Sequence, residues 1–385
     1  MRTILFTGKG GVGKTSLAIA TALESARRGQ RTFLLSADPA HNLGDALGQR
    51  IGAGATPIAQ RLVAREVSVL DELEERWSEI HAFLRGLLKD EADPLVADEL
   101  LTFPGLEELL ALRAIHEVEA TGETDCCIVD CAPTGATLRM LRFPDALRLF
   151  MEHFFEMERR GARAVRPLLA NLRAGSIVPD DAVFDAIERL VGEVEATRRL
   201  LADGTRTTAR LVVNPARMVV AESRRAFSYL SLHGIATDAV MVNRVLPPEA
   251  ARGFFSRWAL RECAELAAID ASFPIPRFTV PLRDRELRGL DDLAALGRET
   301  WAEQDPTAVL STSQPIRFGK RAGRATLDID LPGASKDEID LALRGDELIV
   351  RVRDATRTIA LPTSLSGHRV KRARLVEGVL HVAFD

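Results

Sequence analysis

The chain has 385 residues, 46% of them hydrophobic and 28% charged, with a formal net charge of −4. That balance belongs to an ordinary globular protein with room for one large and one small domain. It argues against a nucleic-acid binder, which carries a concentrated basic face, so no nucleic-acid partner is expected. No stretch approaches the roughly 20 uninterrupted apolar residues of a membrane span, because the best, at 100–115, is broken by charges and by Pro104. The N-terminus runs straight into a strand pattern, so no signal peptide is expected and the predicted location is cytoplasmic. Cys126, Cys127 and Cys131 surround one apolar run and Cys263 stands alone, without a C-x-x-C pair. Buried thiols acting as small hydrophobes are the expected reading.

In chain order, 3–7 (TILFT) reads as a buried strand and 14–28 as an Ala-rich helix. The runs at 31–35 (RTFLL), 127–130 (CIVD), 211–214 (LVVN) and 239–243 (AVMVN) have the length and β-branching of parallel-sheet strands. Helical patterns separate them, which predicts an α/β fold: a doubly wound parallel sheet with ligands at the carboxyl ends of its strands. Two long insertions, about 59–121 and 138–202, predict a helical subdomain inside a domain spanning 1–302. Residues 303–316, polar and bracketed by prolines, read as a linker. From 317 to 385 the pattern changes to short alternating strands, at 325–331, 339–343, 347–352, 356–361, 370–375 and 379–384. These predict an all-β sandwich.

The chemistry concentrates in Gly8-Lys9-Gly10-Gly11-Val12-Gly13-Lys14-Thr15-Ser16, which follows a strand and opens a helix. That is the context of a P-loop. Glycines let backbone N–H groups turn inward around a phosphate, and the helix N-terminus adds its dipole. Lys14 is placed to bridge β- and γ-phosphate oxygens of ATP, and the Thr15 hydroxyl to take one Mg²⁺ position. Only six lysines occur in the chain, and Lys9 and Lys14 are two of them. In a sequence that otherwise uses Arg, lysine at these positions points to a need for a compact ammonium. Ser36-Ala37-Asp38-Pro39-Ala40-His41-Asn42-Leu43 follows the second strand, and Asp130-Cys131-Ala132-Pro133-Thr134-Gly135 follows the strand of the cysteines. Each puts a carboxylate at a strand end, where a following loop can sense a γ-phosphate.

With K-G-G-x-G-K-T, DPAHNL and D-x-APTG together, residues 1–302 resemble the ArsA/GET family. Its members are the arsenical-pump ATPase and the factors that target tail-anchored membrane proteins. The form with Lys9 resembles the deviant Walker A subclass, in which the first lysine reaches a partner's nucleotide across a homodimer. The resemblance implies an ATP hydrolase with Asp38, Lys9 and Lys14 as catalytic residues. Asp38 would orient or activate the attacking water, and Asp130 would support Mg²⁺ through its water shell. Asn243 would hydrogen-bond adenine, with Pro281 and Leu282 packed against it. It further implies a hydrophobic client, such as a transmembrane segment, and a membrane receptor. The alternatives are a motor for metalloid efflux and a non-catalytic holdase. The sequence departs from the family at Ala136 and Ala216, and the stretch 252–258 lacks the zinc-binding cysteines of the eukaryotic targeting factors, so no zinc is predicted.

The segment Leu327-Asp328-Ile329-Asp330-Leu331-Pro332-Gly333, with the later Gly345-Asp346-Glu347 and Gly378-Val379-Leu380, resembles an α-crystallin domain of the small heat-shock type. Two apolar stripes at helical spacing remain: Leu147, Phe150, Met151, Phe154 and Phe155, then Phe184, Ile187, Val191 and Val194. Either is a client groove or simply core.

Overall fold

The computed structural model describes residues 1–38, 42–52, 54–67, 106–135, 181–321, 324–365 and 367–385. The first stripe (147–155), Ala136, and Pro39 to His41 lie outside the described residues.

The N-terminal part is built on an eight-stranded sheet in the order β3-β4-β2-β5-β1-β6-β7-β8. Its strands are β1 (Arg2–Thr7), β2 (Thr32–Ala37), β3 (Thr56–Ala59), β4 (Leu62–Glu66), β5 (Cys126–Cys131), β6 (Thr207–Val213), β7 (Thr237–Val245) and β8 (Arg277–Pro281). All neighbours run parallel except the β3–β4 hairpin at one edge. Every side chain of β5 and β6 is buried, which is why 127–129 and 211–213 read as continuous apolar runs and not as alternating ones. The hairpin and β8 were not among the predicted strands. β4 stands where a helical pattern was expected from about residue 59, because two short strands offer too little periodicity to be told from a helix turn.

Helices cover both faces. On one face α1 (Lys14–Arg27), α2 (Asn42–Leu47) and α7 (Gly289–Trp301) close a core of Ile4, Phe6, Leu34, Ile128, Leu17 and Leu293. On the other face α3 (Leu106–Ala120) and α4 (Asp181–Ala202) enclose Leu5, Leu35, Val129, Leu110 and Val194. Val194, from the second apolar stripe, is therefore core, and Val191 is half-buried. Beside them α5 (Arg217–Leu232) and α6 (Ser256–Ser272) pack on β6 and β7 through Val220, Phe227, Ile269 and Phe273.

The C-terminal strands β9 (Ile316–Arg321), β10 (Arg324–Asp330), β11 (Ile339–Arg344), β12 (Glu347–Val352), β13 (Ala355–Ala360), β14 (Val370–Val376) and β15 (Val379–Phe384) form two antiparallel sheets. Their orders are β14-β15-β10-β9 and β11-β12-β13. Inward residues at period two, such as Leu327, Ile329, Leu348, Val350, Leu380 and Val382, fill the space between the sheets. Tyr229 and Leu232 at the end of α5 belong to this same core. Ser228 donates to the carbonyl of Pro332, and the Tyr229 hydroxyl donates to Asp354. The sandwich is thus packed directly on α5.

The segment 302–315 carries neither helix nor strand, yet it is fastened beneath the large sheet. Asp238, fully buried, pairs with Arg2 at 3.0 Å and Arg210 at 3.4 Å. That cluster accepts the Leu310 N–H on Asp238, while Arg2 donates to the Thr307 carbonyl and Arg210 to that of Ala308. The Arg210 guanidinium lies 4.5 Å from the centre of the Trp301 ring, a cation–π contact in a desolvated site.

Candidate functional site

β1 lies between β5 and β6, so the strand order reverses direction on either side of it. The loop leaving its carboxyl end sits at the switch point of the sheet, where open α/β folds bind ligands. Residues 8–13 turn there with positive φ at Gly8, Gly11 and Gly13, which glycine alone adopts at little cost. Gly8 has φ +152, and a Cβ on it would lie 2.3 Å from the Val212 carbonyl oxygen. Gly13 has φ +96, and a Cβ there would meet the Asn243 amide nitrogen at 2.3 Å. Gly13 is the N-cap of α1 and offers no side-chain cap, leaving the first N–H groups of the helix for a ligand.

Two asparagines at neighbouring strand ends brace this turn. Asn243, on β7, donates to the Val12 carbonyl at 2.8 Å and accepts from the Arg244 N–H at 2.9 Å. Asn214, just past β6, reaches the same Val12 carbonyl at 3.2 Å when its amide nitrogen faces the loop. Sequence reasoning missed Asn214, although an Asn closing each of two adjacent buried strands was a visible signal. Val12 itself turns into the core.

A cleft of about 1300 Å³ opens beside the turn, lined by Gly10, Gly11, Gly13, Lys14, Thr15 and Ser16 and by Asp38. Asn243, Pro281 and Leu282 line it as well, Leu282 being held by its N–H on the Val245 carbonyl at 2.8 Å. The fold therefore gathers sequence-predicted residues from four separated segments into one cavity large enough for a nucleotide. Lys14 is buried, and its ammonium donates to the Lys9 carbonyl at 3.5 Å. Lys9 does not line the cleft. Its ammonium points away and pairs with Glu222 of α5 at 3.2 Å.

Asp130, at the end of β5, lies fully buried behind Lys14 and Thr15. Neither of its oxygens makes a hydrogen bond of ordinary geometry. Burial pushes its pKa up to about 7, against the pull of the Thr15 hydroxyl and the Lys14 charge; nearby Asp38 pushes it up further. Past it, the Thr134 N–H donates to the Gly8 carbonyl at 3.3 Å, tying this loop to the phosphate turn. A buried carboxylate short of partners beside a threonine hydroxyl fits a hydrated divalent cation. No group of three or more His, Cys, Asp or Glu side chains among the described residues could hold a metal. A cation here would sit mainly on water and substrate oxygens, as Mg²⁺ prefers.

Comparison with known proteins agrees with this geometry. Residues 1–300 match the family model of the ArsA ATPases, described as anion-transporting ATPases. The chain belongs to the ArsA ATPase family. Residues 322–384 match the HSP20-like domain found in ArsA, in keeping with the antiparallel sandwich. A relative from Prosthecochloris vibrioformis, named as an arsenical pump-driving ATPase, is 34% identical over 100% of this chain and 96% of its own. One from Aquifex aeolicus with the same kind of name is 32% identical over 97% of this chain and 98% of its own. An uncharacterized Streptomyces coelicolor protein is 34% identical over 100% and 97%. Among the described residues of this ArsA-family chain, no helix is long and apolar enough to cross a membrane.

The cysteines are spread unevenly. Cys126, Cys127 and Cys131 are buried and Cys263 is exposed. Burial pushes the Cys126 thiol up to about 12 and the Cys127 thiol higher still, so neither presents a thiolate near neutral pH.

Proposed function

We propose that this ArsA-family protein is a homodimeric ATPase of the deviant Walker A type, whose nucleotide state controls a surface for a hydrophobic client. One observation carries the reading. The glycine turn is shaped for a polyphosphate, yet the ammonium of Lys9 faces out of its own cleft. A lysine so placed serves a nucleotide held by a second copy better than one held by its own chain.

In this reading the turn and the α1 N-terminus bind the phosphates, and Lys14 neutralises the β- and γ-oxygens. Thr15, and Asp130 through water, would hold Mg²⁺, which supplies charge neutralisation between the phosphates. Asp38 orients the attacking water at the end of β2. Lys9 of the partner meets charge growing on the transferring group, worth most in a site closed to water. Asn243 keeps one amide hydrogen and one oxygen lone pair for adenine after bracing the loop, and Pro281 and Leu282 cover the base.

The seam of the dimer lies at the start of α6. There Phe254, Phe255, Trp258 and Leu260 stand on the surface, with Phe254 85% and Trp258 59% exposed. Met218 on the neighbouring helix α5 is exposed as well. The resemblance places a zinc clasp at this stretch in the targeting factors. Here apolar area takes its place, each large side chain contributing about 1.5–3 kcal/mol on burial.

The client reading draws on the apolar stripe at 147–155 and on the family resemblance. The metalloid reading draws on the names of the relatives. All four cysteines are accounted for: three are buried, and burial raises the Cys126 and Cys127 thiols, which leaves Cys263 without a second surface thiol to grip a soft ion. ATPase assays on the wild type, Lys9→Ala and Asp38→Asn, with a transmembrane peptide in one arm and arsenite in another, decide between the readings. Stimulation by peptide, lost in both variants, supports the proposal. Stimulation by arsenite alone refutes the client, and full turnover by Lys9→Ala refutes the shared site.

A further inference from the structure

We infer that Glu222 is the resting partner of Lys9 in the isolated subunit, a positioning residue that holds the ammonium clear of the nucleotide turn until a second copy presents its triphosphate. The inference rests on the shared-site reading above and deepens it. The two groups are 3.2 Å apart, with about a third of each side chain exposed. The pair is therefore accessible and breakable, worth at most a modest amount in water.

The electrostatics explain why Lys9 turns outward. The turn already concentrates positive potential: inward N–H groups, the α1 N-terminus and the buried Lys14 ammonium. A second ammonium inside it, without phosphate present, would be repelled. Glu222 offers the opposite charge on the outer side.

The post is fixed and the lysine moves. Glu222 stands on α5, which is held along its length by Val220 and Phe227 against β6 and β7. At its far end α5 is built into the sandwich through Tyr229 and Leu232. Glu222 cannot readily follow a departing lysine, whereas Lys9 has a long flexible stem. A triphosphate carries more negative charge than one carboxylate, so the exchange favours the nucleotide once two copies face each other. Glu222 thus acts as a weak brake on pairing, and it shares a helix with the appended β-sandwich. Met218, one turn before Glu222, is exposed on the same helix face, so the brake lies beside apolar surface suited to a second copy.

The test uses full-length protein with ATP and Mg²⁺, and measures by sedimentation the protein concentration at half-maximal dimer. Wild type, Glu222→Gln, Glu222→Asp and Lys9→Ala are compared, together with the double variant Glu222→Gln/Lys9→Ala. Exposed pairs contribute about 0.2–1 kcal/mol and a symmetric dimer releases two of them, so Glu222→Gln should lower the midpoint roughly 2- to 30-fold. Glu222→Asp should lie between it and the wild type. In the Lys9→Ala background the Glu222→Gln effect should vanish, which a general change in folding or surface charge would not produce. A midpoint unchanged or raised in Glu222→Gln overturns the inference, as does a shift that persists without Lys9. If Lys9→Ala hydrolyses ATP at the wild-type rate, the shared-site reading falls, and this inference with it. If only the Glu222 variants are silent, that reading stands and Glu222 has no such role.

Discussion

Replacing Asp130 with Asn should make the nucleotide-free protein more stable at pH 8 while nearly abolishing its turnover. Burial raises the carboxyl pKa from 3.8 to about 7. The folded state therefore holds this proton more tightly than the unfolded chain does. With the folded pKa above the unfolded one, stability falls as pH rises from about 4 to about 7, and the full cost persists at higher pH. A rise of that size corresponds to about 4 kcal/mol. The Asn amide brings two N–H groups into a site where neither Asp130 oxygen makes a hydrogen bond of ordinary geometry, costing about 1–3 kcal/mol. A net gain of about 1–3 kcal/mol at pH 8, shrinking toward pH 4, is the expectation. Thermal melts of both proteins without nucleotide, from pH 4 to pH 8.5, measure it. Steady-state ATPase should fall about 10- to 100-fold or more, the usual cost of losing an outer-shell metal partner. With Mg²⁺ and nucleotide present, the wild type should gain more melting temperature than the variant. A variant less stable than the wild type at pH 8 without nucleotide, or one that keeps normal turnover, would refute the assignment of this carboxylate as a strained, cation-ready group.

Two further perturbations test the fold and the seam. Asp238→Ala leaves Arg2 and Arg210 without their buried counter-charge and should cost about 3–5 kcal/mol. It should also make 303–315 markedly more sensitive to limited proteolysis, since Asp238 holds the Leu310 N–H; a protease-resistant variant would show that the segment is fastened elsewhere. Trp258→Ala removes an exposed side chain, so the melting temperature of the isolated chain should hardly change, while the proposed ATP-dependent dimer should weaken about 30-fold, equivalent to about 2 kcal/mol. Unchanged sedimentation with ATP would remove this patch from the seam.

Much of the architecture was legible from residues alone, because the strongest signals are local. The buried strands at β1, β5, β6 and β7 announce themselves as apolar runs, and the sandwich as period-two strands closed by Gly and Pro. The short hairpin β3–β4 and the strands β8 and β9 escaped notice, since four to six residues without clear alternation carry no period. The glycine turn was readable, but the role of Asn243 was read from family likeness as a base contact. The structure adds that its amide holds the Val12 carbonyl. Glu222 carried no signal at all. A glutamate on an amphipathic helix is ordinary until the fold sets it beside Lys9.

The sequence by itself settled the local chemistry: a turn that glycine alone adopts at little cost, a lysine and threonine opening a helix behind it, carboxylates at two strand ends, and a separate β-rich tail. Those are properties of neighbouring residues, and backbone sterics and side-chain period encode them directly. Tertiary structure alone decided which distant groups meet. It placed Lys9 against Glu222, sank Asp130 far enough to lift its pKa, pinned 307–310 to the Arg2–Asp238–Arg210 cluster, and made the end of α5 part of the sandwich core. Burial and Coulomb energy depend on distance through space, which the order of residues along the chain does not fix.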